Sequence, residues 1–337
     1  MMIRKPISQT VRIAIGVAAV IVLILMYTVL SGSRQAAVRR DQAAAATSQL
    51  ADIATRRQAL SEERAQAEQL TDEQARSREL SRIADAEIRL TEQEATWTQR
   101  RDRPDAVDRT VPTWGVLWRQ GLLRATTPQG SFERKEIWML SDFRATLTRL
   151  ITAMLIGAFA SVVLGLLMGC LNAVEAFFMP PLAFFSKVPA TAVLPIFFVL
   201  VQINFKMYLA IIVFGMLPTL AQSISACVRK DVPEELVYKA YTLGASQLEL
   251  IWELIYKQTL PRILDAARLQ IGSALVLLVA AEWMVAGEGI GYRLRLFYQR
   301  TDMTVVFVYV IILGLLGLAA DYALIWLRRK LCPWFGA

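Results

Sequence analysis

Apolar residues in this chain are gathered into runs long enough to cross a bilayer, and charged residues are gathered between them. A helix needs roughly 20 mostly apolar residues to span a ~30 Å hydrocarbon core. The first such run, residues 13–30, follows Arg4, Lys5 and Arg12. Five more occupy residues 150–171, 181–201, 207–226, 267–286 and 305–327. Backbone polar groups cannot stay unpaired in lipid, so apolar runs of this length fold as helices. The sequence therefore predicts an all-α integral membrane protein with about six transmembrane helices.

Basic residues prefer the cytoplasmic side of a membrane. The first helix is thus expected to run from inside to outside, as a retained span. A cleaved signal peptide would have a shorter apolar region, of about 7–15 residues, and a small-residue cleavage site. Five further crossings return the C-terminus to the inside, where Arg328, Arg329 and Lys330 follow the last run. Arg229 and Lys230 also fall inside. Arg293, Arg295 and Arg300 fall outside, so that short segment is expected to pack against protein. Gly157, Gly165 and Gly169 lie near one helix face and permit close helix approach. Pro189 and Pro195 interrupt the third run and can kink it.

The residues that are missing exclude several chemistries. Among 337 residues there is no histidine, which removes histidine general bases and His-ligated metals. Cys170, Cys227 and Cys332 are far apart, with no C-x-x-C, so neither a metal knuckle nor a disulfide framework is expected. The net charge of +8 fits a membrane protein with basic cytoplasmic ends better than one that binds nucleic acid.

Residues 34–101 contain neither Gly nor Pro and are rich in Ala, Glu, Gln and Arg, a composition with high helix propensity. Ala46, Ile53, Leu60 and Ala67 repeat every seven residues, as do Ile83, Leu90 and Trp97. That is a short coiled-coil pattern. Thr71-x-x-Gln74 reads as a capping box for a second helix. The segment is expected to form an antiparallel helical hairpin centred near Leu70. Leu50 and Ile53 would then face Ile88 and Leu90, and Arg57 would approach Asp85. From Arg34 to Arg144 there are 19 basic and 18 acidic residues, a near-neutral balance that argues against a nucleic-acid or headgroup-binding arm. Trp114, Trp118 and Trp138 suit an interfacial belt or a packed connector, the belt being favoured for Trp138.

The stretch from Val232 carries the functional signal. Pro233 with Glu234 and Glu235 makes a good helix start. Gly244 interrupts that helix and allows a left-handed cap or tight bend. A second amphipathic helix, 248–260, is expected to end at Pro261. Its greasy face would carry Leu248, Ile251, Trp252 and Ile255. Glu282, near the outer side, is expected to find a structural partner in Arg293 or Arg295, and Asp321 to pair or pack.

These residues resemble the permease subunit of a binding-protein-dependent ATP-binding-cassette (ABC) importer, of the nitrate/sulfonate/taurine type. That family carries a cytoplasmic E-A-A-x-x-L-G-A-S loop followed by an amphipathic stretch ending in L-P. The matching residues are Tyr238, Lys239, Ala240, Tyr241, Thr242, Leu243, Gly244, Ala245 and Ser246, with Leu260–Pro261 closing the stretch. Tyr238 and Lys239 stand where the family usually has Glu and Ala. The segments T-L-T-R-L from Thr146, K-V-P-A-T-A-V-L-P from Lys187 and A-A-E-W-M-V-A-G-E-G-I-G-Y from Ala280 are also similar. The resemblance covers roughly residues 143–329. It leaves the charged insert unexplained.

Hydropathy, charge and, from about residue 143, the resemblance together divide the chain. Residues 1–12 are a cytoplasmic N-terminus, 13–30 the first transmembrane helix and 31–145 a periplasmic helical hairpin plus connector. Residues 146–327 are the permease domain, with five transmembrane helices and a cytoplasmic coupling loop at 229–262, and 328–337 are a cytoplasmic tail. The resemblance implies an ATPase-coupling site made of Glu234, Glu235, Tyr238, Lys239, Ala240, Leu243, Gly244, Ala245, Ser246 and Pro261. The implied partners are a separate ABC ATPase, a periplasmic solute-binding protein and a second permease copy, in the bacterial inner membrane. No G-x-x-x-x-G-K-[ST] phosphate loop occurs, so ATP is expected on the ATPase subunit and no cofactor on this chain. The chain is then a transport subunit, not an enzyme. An extra periplasmic partner could bind residues 34–101. The competing reading is a membrane-anchored periplasmic coiled-coil scaffold or sensor without transport activity.

Overall fold

A computed structural model describes residues 8–69, 73–104, 106–128 and 137–335. Among them every regular element is helical, and they separate into two units, Met1–Trp118 and Arg119–Ala337.

In the first unit the apolar run and the charged run form one continuous helix, α1 (Gln9–Glu68), about 90 Å long at 1.5 Å per residue. Nothing in the sequence breaks it, since it holds no proline and only Gly16 and Gly32. The Ser8 side chain caps its start by accepting from the Val11 N–H. The apolar window near its N-terminus has no burial inside the chain, as befits a surface that meets lipid.

Helix α2 (Glu73–Asp102) runs antiparallel to α1. The two bury Ala46, Ile53, Ala67, Ile83 and Leu90, all members of the seven-residue pattern. Across the pair Arg57 meets Glu94 at 2.9 Å, Arg64 meets Glu87 at 3.5 Å and Arg82 meets Glu63 at 3.6 Å. Such exposed pairs contribute under about 1 kcal/mol each, so the apolar seam sets the register. That register differs from the expected one. Ile88 is 59% exposed, and Arg57 bonds Thr91 and Glu94 instead of approaching Asp85. The reason is angular: Ile88 precedes Leu90 by two residues, about 200° around the helix, and so points away from the seam. Thr71 of the expected capping box lies outside the described residues.

After α2 the chain returns along α1 through a ladder of side-chain bonds. Gln42 Oε1 accepts from the Ala106 N–H, and Gln35 bonds both the N–H and the C=O of Asp108. Ser31 and Tyr27 donate to Pro112 O, and Trp114 donates to Thr28. The polar face Tyr27, Ser31, Gln35 and Gln42 thereby orders a connector without periodicity of its own. Burial disfavours the charge on Asp108, yet hydrogen bonds from Thr110 and the nearby Arg34 hold its carboxyl below the ordinary range.

The second unit holds α3 (Trp138–Cys170), α4 (Asn172–Lys187), α5 (Leu194–Val201), α6 (Phe205–Asp231), α7 (Glu234–Thr242), α8 (Gln247–Val285), α9 (Ile290–Gln299) and α10 (Met303–Leu331). Its core gathers Leu150, Ile211, Ile212, Leu278, Phe297 and Tyr309 from α3, α6, α8, α9 and α10. Helices α3 and α6 touch because α3 presents glycine: a Cβ at Gly165 would stand 2.7 Å from Ile224 Cβ and 2.8 Å from Ala221 O.

The apolar run at 181–201 is not one straight span. Helix α4 ends before Pro189, whose ring pushes Val188 into the extended region (φ −75°, ψ 122°). The chain resumes in a tight turn, Ala190–Val193, and then α5, bent by 89° from α4. Five described helices, counting α1, are long and apolar enough to cross a membrane, or six if the bent pair makes one span.

Pro261 does not end the second amphipathic helix. It is buried inside α8, which continues to Val285. A π-helical turn, Leu250–Tyr256, precedes it, and Thr259 donates its hydroxyl hydrogen to Ile255 O at 2.8 Å. The ring removes one backbone bond, to the carbonyl four residues earlier, without ending the helix. The same π-turn shifts the helical phase. Leu250 and Ile255 are buried while Leu248 and Trp252 stay 70% and 50% exposed, so the expected greasy face is split. Trp138 is likewise not simply an interfacial anchor: it stacks on Arg293 at 4.7 Å and packs against Phe297.

Candidate functional site

Between α7 and α8 the chain turns sharply. Pro233 precedes α7 in extended conformation, and Glu234 and Glu235 occupy the first turn, where carboxylates favour the helix dipole. At the far end Gly244 has φ +85°. The Ala245 N–H bonds Ala240 O at 3.1 Å and the Gly244 N–H bonds Tyr241 O at 3.0 Å. This paired closure is a Schellman cap, and its left-handed residue is ordinarily glycine. A Cβ on Gly244 would meet nothing within 4 Å, so the backbone angle alone selects glycine here. Ser246 opens α8 two residues later. Its side chain accepts from the Glu249 N–H while the Glu249 carboxylate accepts from the Ser246 N–H. Two helix ends are closed within a few residues of each other, which fixes the bend.

The structure brings Glu234, Glu235, Tyr238, Lys239, Ala240, Leu243, Gly244, Ala245 and Ser246 onto this one exposed element. Pro261 is not with them, being buried in α8. Tyr238, Tyr241 and Leu243 are 65%, 46% and 86% exposed, an unusual array of large apolar groups for a short polar loop.

A second cluster lies at the other end of α8 and is buried. Asp142 accepts from the Arg293 guanidinium at 2.7 Å, the Tyr309 hydroxyl at 2.8 Å and the Gly289 N–H at 3.0 Å. Glu282 accepts from Arg149 at 2.8 Å, Thr146 at 2.9 Å and the Gly291 N–H at 2.9 Å. The Ile290 N–H bonds Thr146 Oγ1. Three successive amides at the start of α9 are therefore held by side chains from α3 and α8. Glycine is required beside Glu282, since a Cβ at Gly291 would lie 2.5 Å from Val279 O and 2.6 Å from Glu282 Cβ. The expected structural partner of Glu282 was Arg293 or Arg295, and the partner found is Arg149. Arg293 serves Asp142 instead, and Arg295 bonds the carbonyls of Met284 and Ala286 at the end of α8. Asp321 does pair, with Arg268.

Residues 161–331, about half of the chain, match the family model described as "Binding-protein-dependent transport system inner membrane component". The chain belongs to this family. A probable ABC transporter permease protein of Brucella melitensis is 29% identical over 231 residues, covering 66% of this chain and 92% of that relative. The taurine transport system permease protein TauC of Escherichia coli is 28% identical over 215 residues, covering 64% and 77%. An inward-facing structure of the MetNI methionine ABC transporter aligns with a TM-score of 0.46 and 19% identity over 58% of this chain and 99% of that one. The protein is a multi-pass inner-membrane permease of an ABC importer. Membership does not favour the scaffold reading.

The permease carries one feature that its sequence hid. Asp142, Thr146 and Arg149 lie four and three residues apart on one face of α3, a polar stripe leading into an apolar run. That spacing is the signal that would have found them.

Proposed function

We propose that the permease passes a small solute across the inner membrane under the drive of a separate ATPase that docks on the loop around Gly244. The observation that carries this reading is the exposed apolar array Tyr238, Tyr241 and Leu243 beside a bend locked by two helix caps. Glu234, Glu235, Lys239, Ala240, Ala245 and Ser246 complete the docking element. ATP resides on that partner, and a second permease copy completes the pathway. A periplasmic binding protein delivers the solute, which in this reading is small and polar, as taurine is for the E. coli relative.

Both termini are then cytoplasmic, and residues 34–142 lie outside. Cysteine-free permease is made by replacing Cys170, Cys227 and Cys332, and single cysteines are introduced at Gln58 or Gln247, both exposed. In intact spheroplasts an impermeant thiol reagent is expected to label position 58 and to spare 247. Equal labelling of the two would reverse the assignment.

In the same reading, residues 34–101 form a periplasmic hairpin that binds a partner other than the binding protein. A link of a few residues would suffice to join two spans, whereas a hairpin of this length stands ~50 Å high. Permease lacking 37–100, bridged by a flexible linker, is expected to retain uptake when reconstituted with ATPase and binding protein. Cells carrying it are expected to lose transport or co-purification of the further protein. Loss of uptake in the minimal system, with the permease still folded, makes the hairpin part of the import machinery instead.

A further inference from the structure

The buried cluster leaves one carboxylate over. Asp142 and Glu282 are each 0% exposed, and Arg149 and Arg293 are 8% and 9% exposed; two negative and two positive charges balance without help. Glu288 is a fifth charged group, with its side chain 64% exposed. It nevertheless sits on the same guanidinium: Arg149 Nη2 donates to Glu288 Oε1 at 3.1 Å, and Nη1 donates to Glu288 O at 3.0 Å. Arg149 itself cannot retreat, because it bonds Glu282 and stacks over the Tyr208 ring at 4.5 Å. One fork of a fixed, nearly buried arginine is therefore occupied by a carboxylate that water also reaches.

That carboxylate lines an open cleft of about 780 Å³, walled by Ser141, Arg144, Ala145 and Thr148 of α3. The hydroxyls of Ser141 and Thr148 are spent on the helix's own carbonyls, Trp138 O and Arg144 O. Arg144 is exposed, and among the described residues no ion pair engages its guanidinium. The cleft thus offers one unengaged guanidinium and, behind the Glu288 carboxylate, the Nη2 of a second. Guanidinium N–H groups recognise oxyanions through charge-assisted hydrogen bonds.

The geometry points to an oxyanion-binding site in this cleft, in which a carboxylate, sulfonate or phosphate group engages Arg144 and takes the place of Glu288 on Arg149. Glu288 acts as an internal stand-in that keeps the desolvated arginine paired when the cleft is empty, since an unpaired buried charge is costly. Replacing one carboxylate by another oxyanion changes neither the bond count on Arg149 nor the charge beside it. The oxyanion can be a free solute or the headgroup of an anionic lipid. The site is argued from Arg144, Arg149 and Glu288 alone and does not rest on the transport reading.

The test uses full-length permease in nanodiscs, with the native cysteines replaced and a single cysteine introduced by Glu288→Cys. Arg149 is kept in every variant because it also anchors Glu282. Rates of modification by an anionic and a cationic methanethiosulfonate are compared, with a cysteine at exposed Gln58 as reference. The anionic reagent is expected to be favoured at position 288 by about tenfold over the reference, the low end of electrostatic focusing. Adding Arg144→Gln is expected to abolish most of that preference. In phosphatidylcholine discs, protection of the introduced thiol by sulfate beyond chloride of equal ionic strength assigns the site to free solutes. Protection only when phosphatidylglycerol is included assigns it to headgroups. Equal rates for the two reagents, a preference that survives Arg144→Gln, or no protection by either anion overturns the proposal.

Discussion

Glu282→Ala is expected to be the most destabilising single change in the permease domain. The substitution leaves the Arg149 guanidinium, the Thr146 hydroxyl and the Gly291 N–H without their shared acceptor. Removing one partner of a buried ion pair costs about 3–5 kcal/mol, because the remaining charge stays desolvated. The low end applies here, about 3 kcal/mol, since Glu288 continues to hold the other fork of Arg149. Replacing both Glu282 and Arg149 by Met removes the orphaned charge along with its partner, and much of the loss should return. Denaturation of the purified single and double variants in detergent measures the difference. A double variant no more stable than Glu282→Ala would show that the two side chains are not coupled. The half-buried Arg268–Asp321 pair serves as the contrast: Asp321→Asn should shift the midpoint less, because neither partner is fully desolvated and the change keeps a hydrogen-bonding side chain.

The two clusters differ in how much of them could be read from residue order. The bend at Gly244 is local. A proline and two acids open α7, a glycine closes it, and the bonds of the cap all run between near neighbours in sequence. The seven-residue seam of Ile53, Ile83 and Leu90 was legible for the same reason, because helical phase follows from sequence spacing. Pairing between helices was not. Asp142 and Arg293 are 151 positions apart, and Glu282 and Arg149 are 133 apart. Which arginine meets which carboxylate is decided by the crossing of α3 with α8 and α9. Arg293 lay closer to Glu282 in sequence, but the Gly291 N–H, the Thr146 hydroxyl and Arg149 take up that carboxylate. Its own side chain is directed to Asp142 and Trp138. The fate of Pro261 was hidden in a similar way. A proline ordinarily ends a helix, yet α8 runs through Pro261, as α6 does through Pro218 and α4 through Pro180 and Pro181. The run at 181–201 shows the opposite balance. Pro189 announces a break, yet the 89° size of the bend comes from packing.

Gly244→Val is expected to uncouple transport while leaving the permease inserted and folded. At φ +85° a β-branched residue carries a steric cost of roughly 1–2 kcal/mol. That cost comes from the backbone angle, because no atom lies within 4 Å of the site of a Cβ. A mutant chain relieves it by abandoning the cap, which releases the Ala245 and Gly244 amides and lets α7 swing relative to α8. If an ATPase docks on the exposed Tyr238, Tyr241 and Leu243, as proposed, about 1–2 kcal/mol is a factor of about 5–30 in the docking-competent population. Substrate-stimulated ATP hydrolysis and uptake in the reconstituted system should fall by about that factor, with expression and thermal stability near those of the parent. Gly244→Asn provides the decisive comparison, since Asn occupies the left-handed region with little penalty. Activity should return toward the parental level in that variant. If Val and Asn were equally active, the angle at residue 244 would be irrelevant to coupling. Equal loss in both would mean that the docking partner needs close approach to a bare glycine backbone, so the contact itself, and not the bend, would be what position 244 supplies.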